Sequence, residues 1–192
     1  MIIGIIDCGG ANLNSIYYSF KRLGINTVIS NSKNELSGLD AYVLPGVGSA
    51  NAVMQCLRDK SLIDFIKNIT KPVLGICIGM QIMYEYSEEG DTQCLGIIDG
   101  KIKKFKSDKS LTVPQMGWNK LVCNDDLKSL NGHYYYANSF YTDSTDSAIG
   151  FTEYGINYTS LVKKNNFIGC QFHPEKSSVS GEKFLQYFLT TA

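Results

Sequence analysis

Short apolar runs alternate with helically spaced apolar residues along the first half of the chain, and this alternation restricts the possible folds more than any other feature. The runs at 2–7, 41–44 and 73–76 have the length and apolar content of strands that are covered on both faces. Helical spacing follows the first run, from Leu13 to a stop at Gly24. Strands that alternate with helices predict a mostly parallel sheet with right-handed crossovers, and therefore an α/β fold.

The second half of the chain is richer in β-forming residues and has few helical patterns. This change predicts a mixed or antiparallel extension of the sheet, followed by a closing helix around 184–189. No linker and no internal repeat interrupts the chain, so we predict a single domain over residues 1–192. The predicted strands of this half lie at 97–105, 121–123, 134–141, 148–152, 160–163 and 167–172.

Charge and composition exclude several classes of protein. Lys and Arg number 18 and Asp and Glu also number 18, and this balance argues against a nucleic-acid binder and against docking on an anionic membrane. Hydrophobic residues make up 44% of the chain and charged residues 19%, which excludes general disorder. No apolar run is long enough to span a bilayer, and the run at 2–7 lacks the basic flank of a signal peptide, so we expect a cytoplasmic protein.

The six cysteines are interpreted in the light of that reducing compartment, where an even number of cysteines does not imply disulfides. The chain has only two histidines and no C-x-x-C pair, so we expect no zinc site, and nothing indicates an organic cofactor. Five of the cysteines are expected to be core thiols: Cys8, Cys56, Cys94, Cys123 and Cys170.

The sixth cysteine, Cys77, lies in GICIG at 75–79, a G-x-nucleophile-x-G pattern directly after a predicted strand. Flanking glycines permit the sharp turn that lifts a nucleophile above a sheet. A helix that begins after Cys77 favours the thiolate, and the N–H of Ile78 would point towards an oxyanion beside the sulfur. The alternative is a buried structural cysteine whose glycines only permit close packing.

A nucleophilic cysteine needs a base, and the chain offers two histidines. His173 ends the last predicted strand, which puts it at a sheet edge where open α/β folds bind ligands. Glu175 follows across Pro174 and can hold the imidazole in one tautomer. The order Cys77, His173, Glu175 suits a nucleophile, a base and an orienting acid, although HPE is also common as a surface turn. His133 follows the turn pair NG and is interpreted as a turn residue.

The loop PGVG at 45–48 follows the predicted strand at 41–44 and is a candidate for a second oxyanion donor. Gly46 and Gly48 let the backbone approach a ligand closely, and the N–H groups of the loop, with that of Val47 between them, could face an oxyanion. A dinucleotide loop is not favoured, because Asn51 stands where the third glycine is needed and because the loop does not follow the first strand.

Five lysines lie within and just after the predicted strand at 97–105. They could protect an edge strand or form a docking face for an acidic partner, and we favour the edge strand. These residues are Lys101, Lys103, Lys104, Lys106 and Lys109.

Taken together, these segments resemble the class I glutamine amidotransferases. LGICIGMQ at 74–81 is similar to the nucleophile elbow of that family, PGVGS at 45–49 to its oxyanion strand, and FHPEKS at 172–177 to its His-Glu segment. VPQMGWN at 113–119 is similar to a segment of one branch, the glutaminase subunits of imidazole glycerol phosphate synthase. The resemblance runs in order along the whole chain and implies the three-layer, flavodoxin-like fold of these glutaminases.

The resemblance also implies residue roles and a partner. Cys77 would attack glutamine, His173 would move protons, and Glu175 would orient His173. Ammonia would then pass to a (β/α)₈-barrel synthase subunit in a heterodimer, which would make imidazole glycerol phosphate and aminoimidazole carboxamide ribonucleotide. The family's oxyanion hole corresponds to Gly46, Val47, Gly48 and Ile78, and the positions that hold the amino-acid end of glutamine correspond to Gln81, Glu89 and Ser139.

Two positions depart from the family pattern, which usually has His where this chain has Gln115 and Asn138. Neither belongs to the triad, so glutaminase chemistry is expected to survive. The ammonia acceptor stays open between the histidine pathway and a paralogous pair that amidates a bacterial surface sugar.

Two further classes are weighed against an ammonia-delivering subunit. One is a stand-alone cysteine hydrolase, such as a γ-glutamyl hydrolase or a protease-like relative. Ile78 stands where the protease-like relatives typically have His, and the segment MGWN speaks against both. The other is a non-catalytic module, which the intact set of Cys77, His173 and Glu175 argues against.

Overall fold

The chain folds around one mixed β-sheet, and the computed structural model describes residues 1–9, 13–46, 48–107 and 111–191. The strands are β1 (Ile2–Ile6), β2 (Asn26–Ser30), β3 (Ala41–Leu44), β4 (Val73–Ile76), β5 (Tyr86–Ser87), β6 (Thr92–Gln93), β7 (Lys101–Lys104), β8 (Gln115–Cys123), β9 (Gly132–Asn138), β10 (Phe140–Thr142), β11 (Ala148–Tyr154), β12 (Ile156–Lys164) and β13 (Phe167–Cys170). The helices are α1 (Leu13–Arg22), α2 (Lys33–Leu36), α3 (Ala50–Asp59), α4 (Ile63–Lys67), α5 (Ile78–Gln81) and α6 (Ser178–Leu189), with 3₁₀ turns at Asp125–Leu130 and Pro174–Lys176.

The sheet has a parallel half and a largely antiparallel half. Its path runs β2-β1-β3-β4-β13-β12-β10-β7-β5-β6, and β11, β8 and β9 continue from β12 as a side branch. Strands β1, β2, β3, β4 and β13 pair in parallel, whereas β12 pairs antiparallel with β13, β10 and β11. The predicted α/β fold, with a parallel sheet first and an antiparallel extension afterwards, is confirmed.

Both faces of the parallel half are covered. Every residue of β3, β4 and β13 is buried, although successive side chains point to opposite faces of a sheet. Helices on both sides are the usual way to bury such strands, and they give the three-layer arrangement that the resemblance implied. Ligand sites in such folds lie beyond the carboxyl ends of the parallel strands, and β4 and β13 end side by side there.

Most predicted strands of the second half have different ends in the structure: the segment at 97–105 is shortened to β7, and the segment at 121–123 is extended to β8. Two of the differences affect the cavity region. The segment predicted at 134–141 is divided at Ser139, because the chain leaves its pairing with β8 and joins β12 and β7 instead. The strand predicted at 167–172 ends at Cys170, before its predicted end at Phe172. From there the backbone changes partners: the N–H of Gln171 donates to the carbonyl of Ser160, and that of His173 donates to the carbonyl of Tyr135.

Two interpretations from the sequence are wrong. His133 is not a turn residue but the second residue of β9, where it lies exposed opposite Lys120 of β8. The lysine-rich strand β7 is not an edge strand, because it pairs with β10 on one side and with β5 on the other. Its lysines face outward instead, and Lys103 forms an ion pair with Asp143. Lys109 lies outside the described residues.

The six cysteines all lie in the described part of the chain and are free thiols. Cys8, Cys123 and Cys170 are buried, as predicted, and Cys94 packs against the margin of the core. The prediction is wrong for Cys56, which is only partly buried and whose sulfur lies 4.0 Å from the carbonyl oxygen of Asp7, just beyond β1. Across the described ranges, every helix is too short or too polar to cross a membrane.

Candidate active site

The nucleophile elbow predicted from GICIG forms at the end of β4. Cys77 separates β4 from the short helix α5 and has φ = 53° and ψ = −108°. A positive φ is costly for a residue with a β-carbon, and such strain persists only where the surrounding structure enforces it. The turn lifts the thiol out of the sheet, as expected for a nucleophile between a strand and a helix.

Close backbone packing explains why glycines surround this cysteine. A β-carbon on Gly79 would lie 2.0 Å from the carbonyl oxygen of Leu44, and one on Gly46 would lie 2.3 Å from the backbone nitrogen of Ile78. Both distances are far shorter than a van der Waals contact, and both obstacles are backbone atoms. Leu44 and Gly46 therefore pack directly against the elbow, and Gly46 also packs against the predicted oxyanion donor.

His173 and Glu175 form a buried pair beside the elbow. Nδ1 of His173 lies 2.8 Å from Oε1 of Glu175, and their side chains are 8% and 1% exposed. The position follows from the sheet, because β13 pairs in parallel with β4 and the Pro174–Lys176 turn begins just beyond it. Cys77 and His173 are thus brought to one cavity.

The imidazole of His173 is held in its charged form. Burial lowers its pKa, but hydrogen bonds and charge interactions with Cys77 and Glu175 outweigh burial and raise the pKa from 6.5 to about 10. A histidine with this pKa is an imidazolium at neutral pH, so a proton is available beside the sulfur.

One cavity of about 350 Å³ collects nearly all of the predicted site residues. Val47 lies outside the described residues, and Glu175 sits behind His173 rather than on the cavity wall. A volume of this size suits a small metabolite. The predicted residues that line the cavity are Gly46, Gly48, Cys77, Ile78, Gln81, Glu89, Ser139 and His173.

Two of the predicted substrate-binding side chains are already fixed by the protein. Glu89, in the turn between β5 and β6, accepts a 2.7 Å hydrogen bond from the N–H of Ala50 at the start of α3. Its burial raises the pKa of its carboxyl group. The amide of Gln81 donates to Oε1 of Gln171 at 2.8 Å and to the carbonyl of Phe140 at 3.4 Å.

Sequence reasoning missed two residues of the site. Gln171 is fully buried, and its Nε2 lies 3.5 Å from Sγ of Cys77. Lys176 lines the cavity and reaches over the ring of Tyr135. An extended segment directs alternate side chains to the same side, so the spacing of Gln171 and His173 was a signal that could have found the first of them.

The two positions that depart from the family pattern are neighbours in space. Gln115 and Asn138 are directly opposite each other on β8 and β9, and both are buried. The hydroxyl of Tyr158 donates to Oε1 of Gln115 at 2.9 Å, and Asn138 lines the cavity. The two departures therefore form one altered pair, of which Asn138 lines the cavity, rather than two unrelated changes.

Comparison with known proteins shows the family to which the chain belongs. The family model for glutamine amidotransferase class-I matches residues 4–192. The imidazole glycerol phosphate synthase subunit HisH of Haemophilus influenzae is 43% identical over 192 residues, which cover 97% of this chain and 96% of that protein. The imidazole glycerol phosphate synthase subunit HisH 2 of Campylobacter jejuni is 43% identical over 191 residues, which cover 98% of each.

Solved structures have the same fold at low sequence identity. A crystal structure of a glutamine amidotransferase matches with a TM-score of 0.80 and 18% identity, over 100% of this chain and 98% of that one. The PurLQS structure from Thermotoga maritima matches with a TM-score of 0.72 and 16% identity, over 98% of this chain and 97% of that one. A family match along nearly the whole sequence, together with relatives at 43% identity, shows that the chain belongs to the class-I glutamine amidotransferases.

Proposed function

We propose that this chain is the glutaminase subunit of an imidazole glycerol phosphate synthase. It hydrolyses glutamine to glutamate and ammonia with Cys77, His173 and Glu175, and it passes the ammonia to a (β/α)₈-barrel synthase subunit. The observation that carries the proposal is the convergence of a strained, cavity-lining cysteine with a buried imidazole–carboxylate pair. The identity of the relatives supports the choice of branch.

The first half of the reaction forms a thioester. Sγ of Cys77 attacks the carboxamide carbon of glutamine, and the carbonyl electron pair moves to the oxygen, where the N–H of Ile78 and the loop at 46–48 stabilise it. The intermediate collapses by breaking the C–N bond, and the imidazolium of His173 gives its proton to the leaving nitrogen, which departs as neutral ammonia. Glu175 keeps the imidazole oriented throughout.

The second half of the reaction releases glutamate. The neutral imidazole of His173 takes a proton from a water molecule, whose oxygen attacks the thioester carbon. Collapse of this intermediate breaks the C–S bond, so that Cys77 leaves as the thiolate and His173 is again an imidazolium. Gln81, Glu89 and Ser139 hold the amino-acid end of glutamine. They line the same cavity as the sulfur, within the reach of one small substrate.

This chain offers a suitable surface for a partner subunit beside the cavity. Met116, Trp118 and Val122 of β8 point outward and are 64%, 55% and 47% exposed, and we call them the β8 apolar stripe. Met116 also lines the cavity, so the stripe begins at its mouth. Large exposed apolar side chains of this kind mark protein interfaces. Docking there would let ammonia pass directly to the synthase, which matters because free ammonia is mostly protonated and unreactive at neutral pH.

The deciding experiment is glutamate release from glutamine by this chain, alone and with the barrel synthase of its own genome, in the presence and absence of the synthase's ribonucleotide ligand. We expect strong stimulation by partner and ligand together, because the loop at 46–48 can hold an oxyanion donor out of position until the complex forms. Cys77→Ala should abolish glutamine-dependent synthesis while ammonia-dependent synthesis by the complex remains. The matched control Cys56→Ala should retain both activities. Equal glutaminase activity with and without the partner would contradict the proposal.

A second candidate function is supply of ammonia for amidination of a bacterial surface sugar. The joint change at Gln115 and Asn138 favours it, because two directly opposed residues, one of them on the cavity wall, differ together from the family pattern. Stimulation by a different barrel protein, and none by the histidine-pathway synthase, would select this function. The chemistry at Cys77 would be the same in either case.

A further inference from the structure

We infer that Gln171 is a further residue of the catalytic machinery, which stabilises the thiolate of Cys77 by donating an amide hydrogen bond to its sulfur. The inference deepens the proposed function, since it concerns the same nucleophile. It can be tested without glutamine and without a partner subunit.

The contact rests on position and burial. Nε2 of Gln171 lies 3.5 Å from Sγ of Cys77, and the Gln171 side chain is 1% exposed. The two backbones are also tied together, because the N–H of Cys77 donates to the carbonyl of Cys170 at 2.7 Å. Sulfur is a large acceptor with long hydrogen bonds, and a donor to a charged acceptor in a buried site is worth more than one in water.

The orientation of the Gln171 amide is fixed by a second amide. Oε1 of Gln171 accepts a 2.8 Å hydrogen bond from Nε2 of Gln81, which in turn also donates to the carbonyl of Phe140. With its oxygen engaged in this way, Gln171 can present only its NH₂ group to the sulfur. A flipped amide would place two donors against each other and an oxygen against the thiolate.

Gln171 adds a neutral donor to a sulfur whose other neighbours are ionisable groups and the carbonyl oxygen of Ala137, which lies 3.9 Å from Sγ. His173 lines the same cavity as the sulfur and carries positive charge, with Glu175 behind it. The thiol of Cys170 and the phenol of Tyr158 lie close enough for the charge of Cys77 to raise their pKa values. Glu89 and Lys176 lie on the wall of the same cavity. The elbow helix α5 is a single turn, so an amide donor supplements what the helix alone can supply.

The test is the pH dependence of alkylation of Cys77 by iodoacetamide, followed by mass spectrometry of the peptide that contains it. Only the thiolate reacts, so the midpoint of the rate profile reports how strongly the site favours that form. In Gln171→Met, which has a similar length but no donor, we expect the midpoint to move upward by about one pH unit. This corresponds to an alkylation rate about tenfold lower at pH values below both midpoints.

Two further variants separate this role from structural support. Gln115→Met removes another buried glutamine, which hydrogen-bonds Tyr158 instead of the sulfur. The alkylation midpoint of this variant should equal that of the wild type. Gln171→Asn keeps an amide but shortens the side chain by one methylene, so it should also move the midpoint upward. This variant decides the question if Gln171→Met does not fold. An unmoved midpoint in a folded Gln171 variant overturns the inference. So does an equal displacement in Gln115→Met. Neither result bears on whether the complex uses glutamine, which the glutamate assay measures.

Discussion

Replacing Glu175 by Gln should lower the pKa of His173, so that the imidazole loses its proton more readily. The pair is buried, its two atoms lie 2.8 Å apart, and the pKa of His173 is raised from 6.5 to about 10 despite the opposing effect of burial. That rise corresponds to about 5 kcal/mol in favour of the imidazolium. Cys77 and Glu175 both contribute to it, so loss of the Glu175 charge should cost about 2–3 kcal/mol and lower the titration midpoint by about two pH units.

The assay is proton NMR of the imidazole signals between pH 5 and 11, on the subunit without its partner. The chain has only two histidines, and His133 is exposed on β9, so its signal is an internal reference that should be the same in both proteins. In Glu175→Gln the signal of His173 should titrate at clearly lower pH than in the wild type. Glutaminase activity of the complex should fall at least about tenfold, because a poorly oriented imidazole delivers its proton less often. A displacement of less than about half a pH unit would refute the contribution of Glu175 to the raised pKa of His173.

Three other predictions follow from the geometry. Gly79→Ala should lower the free energy of unfolding, measured in urea, by at least about 2 kcal/mol, because the new β-carbon would meet the backbone of Leu44. In the control Gly132→Ala the new β-carbon would meet only side-chain atoms, which can move, so the loss of stability should be smaller. Trp118→Ala should weaken binding of the barrel partner about tenfold or more in calorimetry while the isolated subunit keeps its melting temperature, because the ring is 55% exposed; an unchanged affinity would place the interface elsewhere. The stabilisation that depends on the raised pKa of His173 is fully present below pH 6.5 and is lost as pH rises through about 10. The free energy of unfolding should therefore decline between these pH values, and a flat profile would contradict the assignment.

Much of the site could be predicted from the sequence because its chemistry is encoded in short segments. GICIG at 75–79 holds the nucleophile together with the glycines that its turn requires, and HPE at 173–175 holds a base and a carboxylate two residues apart. In the structure these local patterns form the strained turn at Cys77 and the 2.8 Å contact between His173 and Glu175. The assignment of Gly46, Val47, Gly48 and Ile78 to an oxyanion hole stays a prediction.

The expectations that were wrong depended on pairing between distant strands. Lysines in a strand suggested an edge, but β7 is covered on both sides by β5 and β10, which local composition does not reveal. An NG pair before His133 suggested a turn, but pairing with β8 extends β9 through that residue. Strand pairing is decided by the burial of the whole sheet, and local turn propensity is weak by comparison.

The sequence by itself determined the α/β class and the identities of the candidate reacting groups, because apolar periodicity and side-chain chemistry are local properties. Only the tertiary structure decided that β13 lies beside β4, which brings His173 to Cys77, and that the chain crosses between strands at Ser139 to close the cavity. It also decided which of many polar residues would be neighbours, including the approach of Gln171 to the sulfur and the opposition of Gln115 and Asn138. These contacts join residues far apart in the chain, and their energy is gained only when the complete sheet forms.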